Sequence, residues 1–379
     1  MTILVLTHSY PDKTNRWRGV FIQEQVKALS LNHDIIVVYF KADYSHFAPF
    51  SDYLFLKTEN GPITEYEVTI NKSFPVLTQL KYLSNTYRFI EKEILSNRRI
   101  DLIHSHLSYP AGFLGTIIQK RKKIPNILTE HSWIKKYFRT RIHKMCVLYT
   151  LKNSFCIISV SNALKADIRL FCRRDVIVVA NVIDVNKFHL SKVTNSGTIN
   201  LGMLGAMGNF RKGFDILLKA VSLIDKMDLV VHIGGAGKYL EKYKTLAKEL
   251  GVFEKCIFYG EIPPSDIINF YLDLDFYVLA SRDETFGVVI VEAMSCGLPV
   301  IATKCGGPEE IITSDTGILV EKEDPVELSK AITYLSQNPG VFDRESIRNY
   351  VLGKYGQKIF SERITRLYDE MISSFMARN

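Results

Sequence analysis

Short apolar runs recur along the chain, and each is bounded by glycine or polar residues. Runs of this length predict buried β-strands. In the N-terminal half they lie at 3–6, 35–39, 102–104, 126–129, 156–160 and 176–181, and in the C-terminal half at 201–205, 229–234, 256–259, 276–280 and 300–303. Between them, apolar residues recur at the spacing of one helix face, which predicts helices at 21–30, 215–223, 240–250, 267–273 and from about residue 343 to the end.

This alternation of strand and helix patterns predicts an α/β protein with parallel sheets. The chain has 379 residues, enough for two domains with separate cores. Polar residues dominate 191–200, and we predict that this segment links the domains. The predicted domains are therefore 1–190 and 197–361.

Composition narrows the class of protein. Hydrophobic residues make up 47% and charged residues 23%, as in ordinary globular proteins. No apolar run is long enough to span a bilayer, and the N-terminus lacks the basic flank of a signal peptide, which predicts a cytoplasmic protein. The six cysteines show no C-x2-C spacing, so we expect reduced thiols and no metal site.

Positive charge is concentrated in the N-terminal half. Residues 1–190 carry 27 Lys+Arg and 15 Asp+Glu, a net charge of +12, whereas the rest carries 21 and 25, a net of −4. The window 119–152 has ten Lys/Arg against the single Glu130, interleaved with Trp133, Tyr137 and Phe138. This pattern predicts peripheral binding to an anionic membrane, with a solvated basic face as the alternative. No nucleic-acid-binding motif accompanies it, so we expect no nucleic acid partner.

Two carboxylates, Glu284 and Glu292, lie eight residues apart between two predicted strands. Gly297 and Pro299 predict the end of an intervening helix, which places Glu284 on a loop and Glu292 inside the helix. Ligands of open parallel sheets bind at the carboxyl ends of strands, where Glu284 is expected.

The run 288–291 is apolar, so the helix is predicted to be buried, and Glu292 interrupts that run. A buried carboxylate needs hydrogen-bond donors, and the hydroxyls of a sugar or ribose are suitable. The amides of Phe286, Gly287 and Val288 at the helix start favour a phosphate. The alternative is an amphipathic helix with one solvated glutamate.

The sequence from Glu284 through Glu292 to Ala-Met-Ser-Cys-Gly-Leu-Pro-Val-Ile-Ala-Thr resembles the signature of retaining glycosyltransferases of family 4. The similarity continues through 306–311 and 317–320 and extends back to 211–218. The resemblance implies the GT-B fold, in which two Rossmann-like domains with parallel sheets face an interdomain cleft. It also implies that the donor binds the C-terminal domain, that the acceptor binds the N-terminal one, and that the last helix, about 362–379, packs back on the N-terminal domain.

The resemblance also implies roles for donor-binding residues of the C-terminal half. Glu292 would bind the ribose, and Glu284 would hold the donor sugar near its 3-hydroxyl. Lys212, joined by Arg211, would stabilise the departing diphosphate. Family members commonly carry an arginine where this chain has Ala206, so Arg211 is expected to compensate or the diphosphate to be held less tightly.

In the N-terminal half, His131 and His106 end predicted strands and therefore face a ligand site in this architecture. The resemblance implies that His131 contacts the donor sugar and that His106 lines the acceptor side. It also places the loop that carries Gly19 over the transferred sugar. For both histidines the alternative is a satisfied structural imidazole.

These features predict a retaining hexosyltransferase that uses a UDP- or GDP-sugar and a hydroxyl acceptor, a lipid-linked glycan in surface polysaccharide synthesis. GT-B enzymes generally need no metal for catalysis, so neither a metal nor another cofactor is expected. The alternatives are a nucleotide-sugar epimerase or glycan phosphorylase of the same fold, and a non-catalytic nucleotide-binding or membrane-scaffolding module, for which the departure at Ala206 is the best support.

Overall fold

The computed structural model describes residues 1–43, 53–71, 78–191, 197–225 and 227–378. These residues form two units: Met1–Val182 together with Gln357–Asn379, and Ile183–Gly356. Residues 183–190, which the sequence assigned to the N-terminal domain, thus fall in the second unit. Residues 357–361, which it assigned to the C-terminal domain, fall in the first unit. Backbone contacts explain the first difference, because Ile183 pairs with Gly356 and the Ser191 amide donates to the Cys296 carbonyl at 3.0 Å. Positions 192–196 of the predicted linker lie outside the described residues.

The first unit contains an eight-stranded sheet with the order β3-β4-β2-β1-β5-β6-β7-β8. Its strands are β1 (Thr2–Thr7), β2 (Asp34–Asp43), β3 (Tyr53–Asn60), β4 (Ile63–Asn71), β5 (Leu102–His106), β6 (Asn126–Glu130), β7 (Cys156–Ser159) and β8 (Ile177–Val178). All neighbours are parallel except β3 and β4, which form an antiparallel hairpin at one edge.

The second unit contains a six-stranded parallel sheet with the order β11-β10-β9-β12-β13-β14. Its strands are β9 (Ile199–Leu204), β10 (Leu229–Gly234), β11 (Cys256–Gly260), β12 (Phe276–Leu279), β13 (Val300–Thr303) and β14 (Gly317–Val320). The chain steps from β9 outward to β11 and then returns to place β12 on the other side of β9. This reversal of strand order creates a crevice at the carboxyl ends of β9 and β12.

Helices connect the strands in both units. They are α1 (Val20–Leu29), α2 (Thr78–Phe89), α3 (Phe113–Lys122), α4 (Arg141–Asn153), α5 (Asn162–Arg169), α6 (Phe214–Ser222), α7 (Leu240–Glu249), α8 (Ile267–Leu272), α9 (Val288–Ser295), α10 (Pro308–Ile311), α11 (Pro325–Gln337), α12 (Arg344–Tyr355) and α13 (Gln357–Met376). No helix among the described residues is long and apolar enough to cross a membrane.

The C-terminal helix α13 belongs to the first unit and packs against α1. Phe360, Ile364 and Tyr368 of this helix are buried among β-strand residues such as Ile3 and Val5. Because these side chains recur at the spacing of one helix face, α13 buries a continuous apolar stripe on the sheet.

The second unit has its own core, formed where α6, α7 and α11 cover one face of the sheet. Phe214, Leu217 and Val221 repeat along α6 and are fully buried against strand residues such as Met203 and Val278. All six cysteines are free thiols. Within the described ranges, no group of three His, Cys, Asp or Glu side chains is arranged to hold a metal ion.

Candidate functional site

In the second unit, the crevice at the ends of β9 and β12 brings Lys212 and Glu284 into contact. Glu284 is only 6% exposed, and the Lys212 ammonium donates a hydrogen bond to its Oε1. The Ser281 hydroxyl donates to the same oxygen at 3.0 Å. Arg211 Nη1 lies 3.9 Å from Glu284 Oε2. The three residues that the sequence analysis placed at the donor's diphosphate and sugar therefore form one charged cluster.

Two backbone contacts fix the loop that carries Glu284. Its amide donates to the Cys305 carbonyl at 3.0 Å, and the Gly307 amide donates to its carbonyl at 2.8 Å. A Cβ at Gly307 would lie 2.1 Å from the Phe286 carbonyl oxygen. The loop after β13, which carries Gly307, therefore approaches the loop that carries Glu284 as closely as a glycine allows. Hydrogen bonds to both the amide and the carbonyl of Glu284 consequently fix the backbone from which the carboxylate extends.

The loop that carries Lys212 is fixed in a similar way. Residues Phe210–Lys212 form a 3₁₀ turn, and the Asn209 side chain accepts a hydrogen bond from the Arg211 amide at 2.9 Å. Gly213 follows with φ of +72°, and a Cβ there would lie 1.8 Å from the Ala280 carbonyl oxygen. This close approach presses the turn against the end of β12 and directs Lys212 towards Glu284.

Arg211 is shared between Glu284 and the neighbouring Asp283, whose carbonyl oxygen it contacts at 3.2 Å. Ala206, where the family commonly has an arginine, is exposed and has no charge to offer. The Gly234–Gly237 turn packs directly beneath this loop, because a Cβ at Gly235 would lie 1.9 Å from the Gly205 carbonyl oxygen. The cationic side chains of this loop are thus Arg211 and Lys212.

Glu292 lies within α9, half-buried, and accepts a hydrogen bond from the Tyr271 hydroxyl at 2.8 Å. Tyr271 of α8 is fully buried, and burial together with the negative charge of Glu292 raises its pKa well above the usual range. The phenol therefore stays protonated and donates to the carboxylate. The role of Tyr271 was not predictable from the sequence, since nothing along the chain pairs a tyrosine with a glutamate 21 residues away.

The helix α9 starts beside the residues at which the sequence predicts a helix start. Gly287 precedes the helix with φ of +105°, and Val288 is its first residue. Phe286 is 4% exposed, and its ring packs edge-on against Tyr355 at 5.8 Å. The first amides of α9 therefore have no preceding helical turn to accept their hydrogen bonds.

In the first unit, adjacent strands β5 and β6 bring His106 and His131 together. His106 Nδ1 and His131 Nε2 are 3.0 Å apart, and the two rings stack at 5.3 Å. Phe21 of α1 covers His131 with a centroid distance of 4.6 Å. Burial lowers the pKa of His131 to about 3 and that of His106 well below 6.5. Both imidazoles are consequently neutral at neutral pH.

Gly19 lies at the start of α1 with φ of +65°, and a Cβ there would lie 2.1 Å from the Ser9 carbonyl oxygen. This contact closes the loop that follows β1. His104, in contrast, is a satisfied structural residue, because its two nitrogens pair with Thr129 at 2.7 Å and Tyr368 at 2.6 Å. Glu130 was counted only as an acidic exception in a basic window, yet it is fully buried beside His131.

Comparison with known proteins assigns the family. Residues 191–357 match the profile described as glycosyl transferases group 1, and residues 19–187 match glycosyltransferase family 4. An uncharacterized glycosyltransferase of Methanocaldococcus jannaschii is 33% identical over 306 residues, which are 79% of this chain and 82% of that protein. The alpha-monoglucosyldiacylglycerol synthase of Streptococcus pneumoniae is 28% identical over 246 residues, 57% of this chain and 55% of that enzyme.

Among solved structures, HepE of Anabaena in complex with UDP and glucose has a TM-score of 0.75 and 18% identity, and the match covers 98% of this chain and all (100%) of that one. This likeness confirms the predicted GT-B fold. The chain belongs to glycosyltransferase family 4.

Proposed function

We propose that the protein transfers a hexosyl unit from a UDP- or GDP-sugar to a hydroxyl acceptor and retains the α-anomeric configuration. The observation that carries this proposal is the contact of Lys212 with Glu284 at the crevice of the second unit. A lysine and a carboxylate in contact offer a cation to the leaving diphosphate and an acceptor to a sugar hydroxyl.

The leaving group is stabilised without a metal in this proposal. Lys212 and Arg211 neutralise the departing diphosphate, and the amides of Phe286, Gly287 and Val288, just before and at the start of α9, donate to it. When the donor binds, Lys212 shifts its hydrogen bond from Glu284 to a phosphate oxygen. Glu284 then accepts from the donor sugar, while Glu292, held by Tyr271, accepts from the ribose hydroxyls.

In the first unit, His131 orients the transferred sugar, Gly19 lets its loop cover that sugar, and His106 lines the acceptor side. Retention follows if the leaving phosphate takes the acceptor proton on the face from which it departs. An NMR time course of the anomeric proton would show the α-product first, and a β-product would contradict the mechanism.

The acceptor that we propose is a lipid-linked glycan at an anionic membrane. The name of the S. pneumoniae relative, a synthase that acts in diacylglycerol glycolipid formation, supports a lipid acceptor. The exposed face of α4 supports it further, since Ile142 and Met145 are 54% and 69% exposed beside exposed Arg141 and Lys144. Apolar side chains flanked by cations suit the headgroup region of an anionic leaflet.

The test begins with calorimetric titration of the protein with UDP and with GDP, followed by a transfer assay with the sugar conjugates of whichever binds. In Glu284→Gln we expect turnover to fall about 100-fold, because the neutral amide accepts weakly from the sugar hydroxyl, while nucleotide affinity stays within about twofold. Glu241→Gln, at an exposed position of α7, is the matched control.

Two outcomes would favour the other candidates. An epimerase would convert a UDP-N-acetylhexosamine with no acceptor present. A nucleotide-binding module without catalysis would bind UDP or GDP, but the native protein would show no turnover. The absence of an arginine at Ala206 would then explain the lack of catalysis.

A further inference from the structure

Glu130 is a fully buried carboxylate at the end of β6, and the roles proposed above leave it unused. Five donors surround it. Oε1 accepts from the amides of His131 and Ser132 at 2.9 and 3.0 Å and from the Tyr137 hydroxyl at 2.8 Å. Oε2 accepts from the amide and the hydroxyl of Ser108, the former at 2.8 Å. A buried carboxylate is tolerated when its oxygens are satisfied in this way.

The two oxygens of Glu130 serve two different loops. Oε1 holds the backbone of the loop after β6, which begins with His131. Oε2 holds Ser108, in the loop after β5, two residues beyond His106. The carboxylate therefore connects the two strand ends that carry the paired imidazoles.

The loop after β5 needs such support, because Leu107 has φ of +73°. A residue with a branched apolar side chain is strained in this region, and the surrounding structure must hold it there. The two hydrogen bonds from Ser108 to Glu130 fix the residue directly after Leu107.

We propose that Glu130 is a positioning residue of the glycosyl transfer: it fixes the backbone on both sides of the His106–His131 pair and so sets the orientation in which His131 meets the donor sugar. This inference rests on the role proposed for His131. Glu130 acts through that imidazole rather than on the substrate, because its side chain is fully buried and both of its oxygens are already satisfied.

The first test is Glu130→Gln, which keeps the volume but places an NH₂ group against hydrogen-bond donors. We expect kcat to fall about tenfold or more, since a small misplacement of a substrate-orienting group costs that much. Affinity for UDP or GDP should stay within about twofold, because the nucleotide contacts proposed lie in the second unit. Glu91→Gln, which breaks an exposed ion pair with Lys122, is the matched control. An unchanged kcat in Glu130→Gln would overturn the proposal.

The second test separates positioning from a general structural role. In a His131→Ala background, Glu130→Gln should lower kcat by less than about twofold, because the group through which it acts is gone. Equal losses in both backgrounds would contradict the proposal. If Glu130→Gln does not fold, Tyr137→Phe removes one of the five donors without removing the charge, and the same cycle with His131→Ala decides.

The third test does not depend on catalysis. Imidazole ¹⁵N shifts report the hydrogen bond between His106 and His131. We expect them to move in Glu130→Gln and to stay in Glu91→Gln, and unmoved shifts would overturn the proposal. If the native protein transfers no sugar while these shifts move, it is the proposed function that fails and not the link from Glu130 to the imidazoles.

Discussion

Gly213 shows how a single residue places a charged side chain, that of the preceding Lys212. Its left-handed backbone and the 1.8 Å that would separate a Cβ from the Ala280 carbonyl oxygen exclude any side chain. The preceding residue, Lys212, contacts Glu284, and this turn packs against the end of β12. Backbone geometry and charge pairing are therefore linked at adjacent positions of the chain.

We predict that Gly213→Ala separates Lys212 from Glu284. The new methyl must displace the end of β12 or the turn, so we expect a loss of about 2–4 kcal/mol in the free energy of unfolding, together with weaker UDP or GDP binding. Gly353→Ala is the control, because it lies in α12 with no atom within 4 Å of its Cβ and should stabilise the helix slightly. Equal stability of Gly213→Ala and the native protein in urea would contradict the prediction.

The charged residues of the crevice in the second unit could be predicted from the sequence, because they follow predicted strands. Glu284 and Lys212 each follow an apolar strand, and the carboxyl ends of parallel strands meet at one edge. Tyr271 and Glu130 were not recognised, because their importance lies in contacts across the fold rather than in spacing along the chain. A charge directly after the run 126–129, which predicts a strand, was the one signal for Glu130 that the sequence offered.

Among the helices and strands, α4 exposes two large apolar side chains to solvent. Its buried side is formed by Val147 and Leu151, whereas Ile142 and Met145 point to solvent among cations. The helix thus has two apolar faces. One is buried in the core, and the other, formed by Ile142 and Met145, is not covered within the unit.

We predict that α4 binds anionic vesicles. At low salt, vesicles containing phosphatidylglycerol should retain the protein, and about 0.5 M salt should release most of it because screening weakens the attraction. Replacing Ile142 and Met145 by serine should lower retention severalfold. Met376→Ser, at an exposed apolar position of the same unit, is the control. Equal retention on neutral vesicles, or no effect of the double replacement, would contradict the prediction.

Most strands were predictable, and the elements that were missed have identifiable causes. The strand β3 is an exposed edge strand whose residues show no apolar alternation, while its partner β4 does alternate, with Tyr66, Val68 and Ile70 buried. The strand predicted at 176–181 shortens to Ile177–Val178, since it pairs with a neighbour, β7, along only two residues. The helices α3 and α4 were not predicted, because their many cations interrupt the apolar spacing of a helix face.

At the scale of the whole molecule, several imidazoles are buried in neutral form. Burial lowers the pKa of His8 to about 4 and those of His104 and His131 to about 3, whereas an unfolded histidine titrates near 6.5. The folded first unit therefore binds fewer protons than its unfolded chain below pH 6.5. Its stability is fully present above that pH and is lost as the pH falls.

We predict that the free energy of unfolding drops between pH 6.5 and pH 5, with a slope that approaches about 1.4 kcal/mol per pH unit for each such histidine towards pH 5. Urea titrations at pH 7, 6 and 5 would measure it. His104→Gln, which can still pair with Thr129, should reduce the slope by about one histidine's share. A free energy that does not change over this range would contradict the assignment of neutral imidazoles.

The return of α13 to the first unit has a consequence for biosynthesis. Phe360, Ile364 and Tyr368 complete the packing around Ile3 and Val5, so these strand residues are synthesised about 350 residues before the helix that covers them. The second unit, encoded between them, has all of its core residues available sooner. A chain truncated after residue 356 and released should therefore expose the sheet of its first unit to chaperones while the second unit is already folded.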